Sequence, residues 1–428
     1  MAGAGTGAAA GGGRTAVVVG CGIVGISVAL HLQRAGFNVT AIDRDEPGRG
    51  CSYGNLGGIA VTEVVPQSVP GLLGRVPGWL IDPVGPLRVR WSALATLTPW
   101  LVRFLRAGRR AEAERIASDL AGLMQRADVD HRDLMRDAGI EHMLAATDAV
   151  AVYDTEAEIA RDAWAFELRS RLGWPCTRVS GGELRDLEPE LADDFAGGMI
   201  YNGWRHISDP YRMIAAYAEL LVRRGGRIAR GEVVAFEYSG PRVSALRLKD
   251  GRSVAVGEMV IAAGARSHEL ARLLGDRVVL AAERGYHTMI ADPGIDPHRK
   301  VMYPPQGFGI TPMAEGLRIG GTVELTNQRA SANFARARVL VEKAGRVFPG
   351  LRETKGQEWS GDRPATPDSL PVISRAGRYE NVHYGFGHGH LGLTLGPTTG
   401  RLLATLIAGR LPNIDLAPYR AGRFSRGA

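Results

Sequence analysis

Three glycines spaced Gly-x-Gly-x-x-Gly, at Gly20, Gly22 and Gly25, are followed eighteen residues later by Asp43. Glycines in that pattern let a chain turn tightly and bring bare backbone against a pyrophosphate. A helix that starts there, at Ile23 and Val24, offers partial positive charge to the phosphates, and an acid at the end of the next strand accepts from ribose hydroxyls. Arg44 adjoins that acid. The chemistry implied is dinucleotide binding, and the pattern alone does not separate FAD from NAD. Two further stretches are glycine-rich: CSYGNLGGI at Cys51–Ile59 and GHGHLGLTLGPTTG at Gly387–Gly400.

The elements that must position these residues are legible nearby. Thr15 to Val19 is a short β-branched run, Ile23 to Arg34 repeats apolar residues at helical spacing, and Phe37 to Ile42 gives a second strand. Strand, turn, helix and strand in that order are the context the glycine pattern needs. From about Pro66 to Leu144 prolines and loops give way to helical patterns around Trp91–Leu105 and Ala111–Asp137. After Asp209 a helix leads into short alternating strands with turns at Ser239–Pro241 and Lys249–Gly251, which read as an antiparallel meander before the buried strand EMVIAAG. Ala263 and Gly264 end that strand with small residues able to approach a ligand. Later runs such as FGITPM and GLRIGGTVEL predict further strands, hence a second domain.

Composition narrows the classes. A chain of 428 residues, 45% hydrophobic and 23% charged, has the makeup of a folded globular protein of two or three units. The formal net charge is +7, and only four cations are lysines: Lys249, Lys300, Lys343 and Lys355. The excess is spread out with no basic run among aromatics, so nucleic acid is not an expected partner. Cys21, Cys51 and Cys176 lie far apart, which argues against a disulfide framework or structural zinc, and no metal is expected. The opening MAGAGTGAAAGGG, residues 1–13, reads as a flexible extension rather than a secretory signal, and no stretch has membrane-spanning length and apolarity. A cytoplasmic location is expected. The stretch LATLTPWLVRFLRAGRRAEAERIA is amphipathic and basic at its end, which allows peripheral contact with the cytoplasmic membrane face.

With the fingerprint, CSYGNLGGI, GDRPATPDSLPVI at Gly361–Ile373 and GHGHLGLTLGPTTG in place, residues 15 to 410 resemble the FAD-dependent amino acid oxidoreductases, which include D-amino acid dehydrogenase, glycine oxidase and sarcosine oxidase. The D-amino acid and hydroxyproline dehydrogenases look most similar, the latter through ERGYH at Glu283–His287. The resemblance implies FAD as cofactor and an α/β fold. Its Rossmann-like FAD domain is discontinuous over 14–66, 207–275 and 356–428. The substrate domain, over 67–206 and 276–355, has a mixed or antiparallel sheet and a helical insertion. It further implies that Cys51, Ser52, Asn55, Gly57, Gly58, Ile59 and Val233 meet the cofactor, with Gly387, His388, Gly389, His390, Leu391, Gly392, Leu393 and Thr394 at the ring. A reduced isoalloxazine gains electron density at N1 and the C2 carbonyl, so glycine backbone and a helix N-terminus, expected to begin at Pro397, suit that end.

Amine oxidation by a flavin needs an unprotonated amine, a Cα hydrogen aimed at N5, and an anchor for the carboxylate; alignment supplies much of the rate. Arg363 is the expected anchor, since a guanidinium fork holds a carboxylate through two hydrogen bonds; an ion pair with Asp362 or Asp368 is the competing use. Tyr286, His287, Tyr303 and His388 are further substrate-side candidates. Cys51 is expected to be a packed thiol. The expected reaction takes a D-amino acid, including D-proline or cis-hydroxy-D-proline, to its imine by hydride transfer to N5. A quinone or other acceptor would then remove the electrons. Direct use of oxygen, a nicotinamide-dependent dehydrogenase and a non-catalytic flavin-holding subunit are the rival readings. Sequence leaves the oligomeric state open.

Overall fold

The computed structural model describes residues 13–425 except 73, 75, 77–84, 86, 327, 329 and 353. The extension expected over residues 1–13 therefore lies outside the described residues save for Gly13.

Thr15–Val19 is the centre of a six-stranded sheet, flanked by Asn38–Asp43 and Glu258–Ile261, both parallel to it. Arg227–Arg230 extends one edge, and Val382–Phe386 with antiparallel Val372–Arg375 extends the other. The central strand is apolar on both faces because both are covered, as a parallel sheet requires. One face carries the helices Ile23–Arg34, Pro210–Arg223 and Gly392–Ile407; the other carries the meander Val233–Ser239, Arg242–Leu248 and Ser253–Ala255 with helix Ser267–Leu273.

The second body is a nine-stranded mixed sheet. Its long strands Ala281–Ile290, Gly316–Thr326 and Phe308–Met313 run antiparallel, while Val301–Tyr303 pairs in parallel with Ala149–Tyr153. Two expectations about domains change here. Gln357–Ala365, assigned to the FAD domain, is instead the edge strand of this sheet, with Glu283 facing Arg363 in register. The helical insertion is also attached differently. The helical pattern over Ala111–Asp137 forms two helices, Arg110–Met124 and Ala127–Ala138, and their buried residues join the core of the six-stranded body instead of the substrate domain.

A third difference concerns Pro397. The last long helix begins at Gly392, five residues before the proline expected to start it. A proline inside a helix leaves the carbonyl four residues earlier without a donor. That carbonyl belongs to Leu393, and fully buried His131 supplies the missing bond from Nε2 at 2.8 Å. Burial holds the His131 pKa down at about 4, so the ring is neutral with its proton on Nε2. The helix start is thus moved forward into the crevice between the two sheets.

Candidate active site

The crevice is a cavity of about 1460 Å³, larger than ordinary small-molecule pockets of about 300–1,000 Å³ and suited to a dinucleotide plus a substrate. At one end lie Gly20, Gly22, Ile23, Val24, Asp43 and Arg44, with Val233, Ala263 and Gly264 opposite. Gly20 has φ +110°, and a Cβ there would sit 2.3 Å from the Ala262 carbonyl oxygen, so only glycine fits. Gly22 is the N-cap of its helix and provides no side-chain cap. The Asp43 carboxylate accepts from the Cys21 N–H at 2.6 Å and the Asp45 N–H at 3.1 Å, which fixes it at the strand end facing the cavity. Ser52 closes over this turn, its hydroxyl accepting from the Ile23 N–H at 3.2 Å.

The other end is built where Ala281–Ile290 pairs with Gln357–Ala365. Because side chains alternate along a strand, Glu283, Gly285 and His287 share one face with Trp359, Gly361 and Arg363, and these line the cavity. The guanidinium of Arg363 lies where a Gly285 side chain would be, 2.2 Å from an added Cβ, so Gly285 is what lets it cross the strand. One N–H of the fork donates to the Thr322 carbonyl at 3.1 Å, and the rest makes no protein hydrogen bond among the described residues. Asp362 points to the opposite face and pairs with Arg284 at 2.8 Å; Asp368 pairs with Arg423 at 2.7 Å. The competing use of Arg363 in an ion pair with either is therefore absent.

Between the two ends come Cys51, Ser52, Asn55, Gly58, Ala60, His388, Gly389, His390, Gly392 and Leu393. The helix Gly392–Ile407 presents its uncapped first turn here. The Thr394 hydroxyl ties this helix to the chain just after Gly58–Ile59, accepting from the Ala60 N–H at 3.0 Å. A family model described as FAD dependent oxidoreductase matches residues 15–406.

The chain belongs to the FAD dependent oxidoreductase family. A D-amino-acid oxidase of Bradyrhizobium diazoefficiens is 34% identical over 96% of this chain and 99% of its own. A D-amino acid dehydrogenase of Sinorhizobium medicae is 28% identical over 95% and 99%. The crystal structure of glycine oxidase from Geobacillus kaustophilus superposes with a TM-score of 0.73, at 22% identity and 96% and 98% coverage, which establishes the common fold.

The residues present fit the family's cofactor. Bare backbone at Gly20 and Gly22, a fixed carboxylate at Asp43 and two uncapped helix starts line one elongated cavity. The first helix start and Ser52 would hold the FAD diphosphate, Asp43 the ribose, and Gly389 to Leu393 the ring. Once bound, FAD supplies an acceptor for two electrons and a hydrogen from a substrate carbon.

Several residues expected to touch the cofactor do not line the cavity. A Cβ on Gly25 would lie 1.9 Å from the Gly20 carbonyl oxygen, so this glycine serves helix-to-turn packing. Gly57 accepts the Ile207 N–H and joins a neighbouring strand. Ile59 and Leu391 are core residues, Gly387 turns at φ +83°, and Thr394 is occupied as described. Tyr303 is the clearest correction among the substrate candidates. Its hydroxyl donates to Asp154 and accepts from Arg346, both at 2.5 Å, in the core cluster behind the sheet. Tyr286 borders the cavity, yet its hydroxyl donates to Glu324 and accepts from the Asn333 N–H at 3.0 Å on the reverse face, so it is not free to hold a substrate.

The histidines that do reach the cavity are neutral. His287 stacks on Trp359 at 5.0 Å, and burial together with Arg318 holds its pKa near 3; burial does the same to His388, whose Nε2 meets the Thr399 hydroxyl at 2.8 Å. Burial pushes the Cys51 thiol up to about 12, so it stays protonated and inert.

Sequence reasoning does not mark Glu63, Gln67, Lys300 or Trp359 as parts of this wall, and it gives Trp204, which stands with them, no role. The Gln67 amide donates to Glu283 at 3.3 Å and to His390 Nδ1 at 3.1 Å, which leaves the imidazole proton on Nε2. Burial raises the Glu283 pKa against the opposing pull of Arg363. These residues lie far apart in the chain, and no local pattern marks them.

Proposed function

We infer that the enzyme oxidises the Cα–N bond of a D-amino acid to an imine, which water then hydrolyses. The observation that carries this reading is the open fork of Arg363, turned into the cavity with no carboxylate in ion-pair contact among the described residues. A planar guanidinium with free N–H groups suits the α-carboxylate of an amino acid. Glu283, in register across from Arg363, and the Gln67 amide lie beside the place where the amine would sit. Neutral His287 and Trp359 wall the site and exclude water. The D stereochemistry is supported by the names of the relatives, which span both oxidase and dehydrogenase.

Cyclic substrates such as D-proline rest on the segment Glu283–His287, of which only Glu283, Gly285 and His287 share the Arg363 face. For the acceptor, the helix Leu94–Ala107 lines the cavity with Leu94, Leu101, Phe104 and Leu105, while Val102 and Leu105 are about 40% exposed. An apolar wall that continues to the surface, beside Arg103 and Arg106, supports a quinone and a peripheral membrane contact. The relative named as an oxidase favours oxygen as the second reading.

Anaerobic mixing of the FAD-loaded enzyme with D- and L-amino acids, proline derivatives, glycine and sarcosine tests the reaction. Loss of the yellow absorbance with D-amino acids is expected. Bleaching by L-enantiomers only, or by nothing in the panel, would contradict it. Stoichiometric peroxide in air would assign the electrons to oxygen; reduction of a quinone analogue without peroxide would assign them to a quinone.

A further inference from the structure

A second cation faces the same cavity. Lys300 precedes the strand Val301–Tyr303, and its Nζ lies 5.1 Å from the ring centre of Trp204. Its stem passes Gly309, and its tip ends beside Gly58, where an added Cβ would be 3.2 Å from Nζ. Two glycines thus leave the room that the side chain fills. Among the described residues the half-buried Lys300 ammonium has neither a hydrogen bond nor an ion pair, its one charge-specific contact being the Trp204 ring.

Among the described residues no carboxylate lies within ion-pair distance of it, and the one that attracts it is already engaged. Glu63 is the nearby carboxylate, and it is held by buried Arg169, whose Nη2 lies 3.4 Å away while Nε donates to the Thr62 carbonyl at 3.0 Å. His206 is neutral, burial and the Lys300 charge holding its pKa down at about 4, and His390 is tied to Gln67. Burial, joined by repulsion from Arg363 and opposed by the attraction of Glu63, lowers the Lys300 pKa to about 8, so the ammonium is still charged for the most part at neutral pH. Among the described residues this wall therefore presents two cations, Arg363 and Lys300, with Glu283 across from the first and Glu63, held by Arg169, near the second.

We propose that the substrate carries a second anionic group on its side chain and that Lys300 receives it. With the α-carboxylate on Arg363, a side-chain acid reaching towards Trp204 and Gly58 would meet the ammonium in a site shielded by the indole. Acidic D-amino acids and their close analogues are the substrate class. This rests on the D-amino acid reading above.

The isosteric pairs D-glutamate with D-glutamine and D-aspartate with D-asparagine isolate the charge. For at least one pair, anaerobic flavin reduction by the wild-type holoenzyme is expected to favour the acid about tenfold or more in kcat/KM, the usual range for a desolvated charge-assisted hydrogen bond. In Lys300→Met that ratio should collapse to about one, and in Lys300→Arg it should be largely restored. Equal use of acid and amide by the wild type would overturn the proposal without needing any variant. So would a Lys300→Met enzyme that slows both members of the pair alike, which would place the lysine on the cofactor. Failure of every amino acid to reduce the flavin is a different outcome, and it removes the D-amino acid reading itself.

Discussion

Replacing Arg363 with Leu should raise KM for a D-amino acid strongly and lower kcat/KM by roughly 10²–10³-fold while bound FAD is retained. Truncating one partner of a desolvated, hydrogen-bonded charge pair costs about 2–5 kcal/mol, and each 1.4 kcal/mol is tenfold. The fold supports this arginine without depending on it. Among the described residues its side chain's one protein hydrogen bond is to the Thr322 carbonyl, and its space is provided by Gly285. Arg363→Lys should fall between the two, because an ammonium keeps the charge and loses the fork. Steady-state kinetics with the flavin content measured in parallel separate the outcomes. An unchanged KM in Arg363→Leu would remove the anchor role.

The second large effect is at Gly25. An alanine Cβ there would stand 1.9 Å from the Gly20 carbonyl oxygen, closer than any non-bonded contact, so the turn that carries Gly20 and Gly22 must move. Gly25→Ala should purify without yellow colour, since the turn and the helix start are one unit. Gly345→Ala is the matched control. It lies in the helix Ala335–Val347 with nothing within 4 Å of an added Cβ, so it should keep its FAD and gain about 0.5–1 kcal/mol in urea unfolding. A fully loaded Gly25→Ala protein would show that the turn tolerates displacement.

The parts of the site that sequence made legible are those coded within a few residues. Gly20, Gly22 and Asp43 follow from a strand, a turn and a helix that are consecutive, and the structure sets them around one cavity end. Arg363 was read through a motif, and its neighbours Asp362 and Arg284 take the opposite face because strand side chains alternate. The same alternation explains Tyr286. In Glu283–His287 polar and aromatic residues occur on both faces, so period two gives no clue to which face is wet until the partner strand is known. Tyr303 is deceptive in sequence for a similar reason, since Asp154 and Arg346, which claim its hydroxyl, lie far from it in the chain.

Long-range partners also account for the other differences. Pro397 reads locally as a helix start, and it is His131, from another helix, that makes it acceptable inside one. The strand Gln357–Ala365 reads as part of the FAD domain by position, and only its pairing with Ala281–Ile290 assigns it to the other sheet. Lys300, Glu63 and Trp204 converge from three separate segments, and no spacing rule connects them.

A crystal structure of the FAD-loaded enzyme with an unreactive D-amino acid analogue tests the central claim most directly. The account predicts the analogue's α-carboxylate paired with the Arg363 fork, at about 2.7–2.9 Å for each N–H to oxygen bond, and its Cα against the ring. A carboxylate bound elsewhere in the cavity, with the Arg363 fork unoccupied, would contradict it.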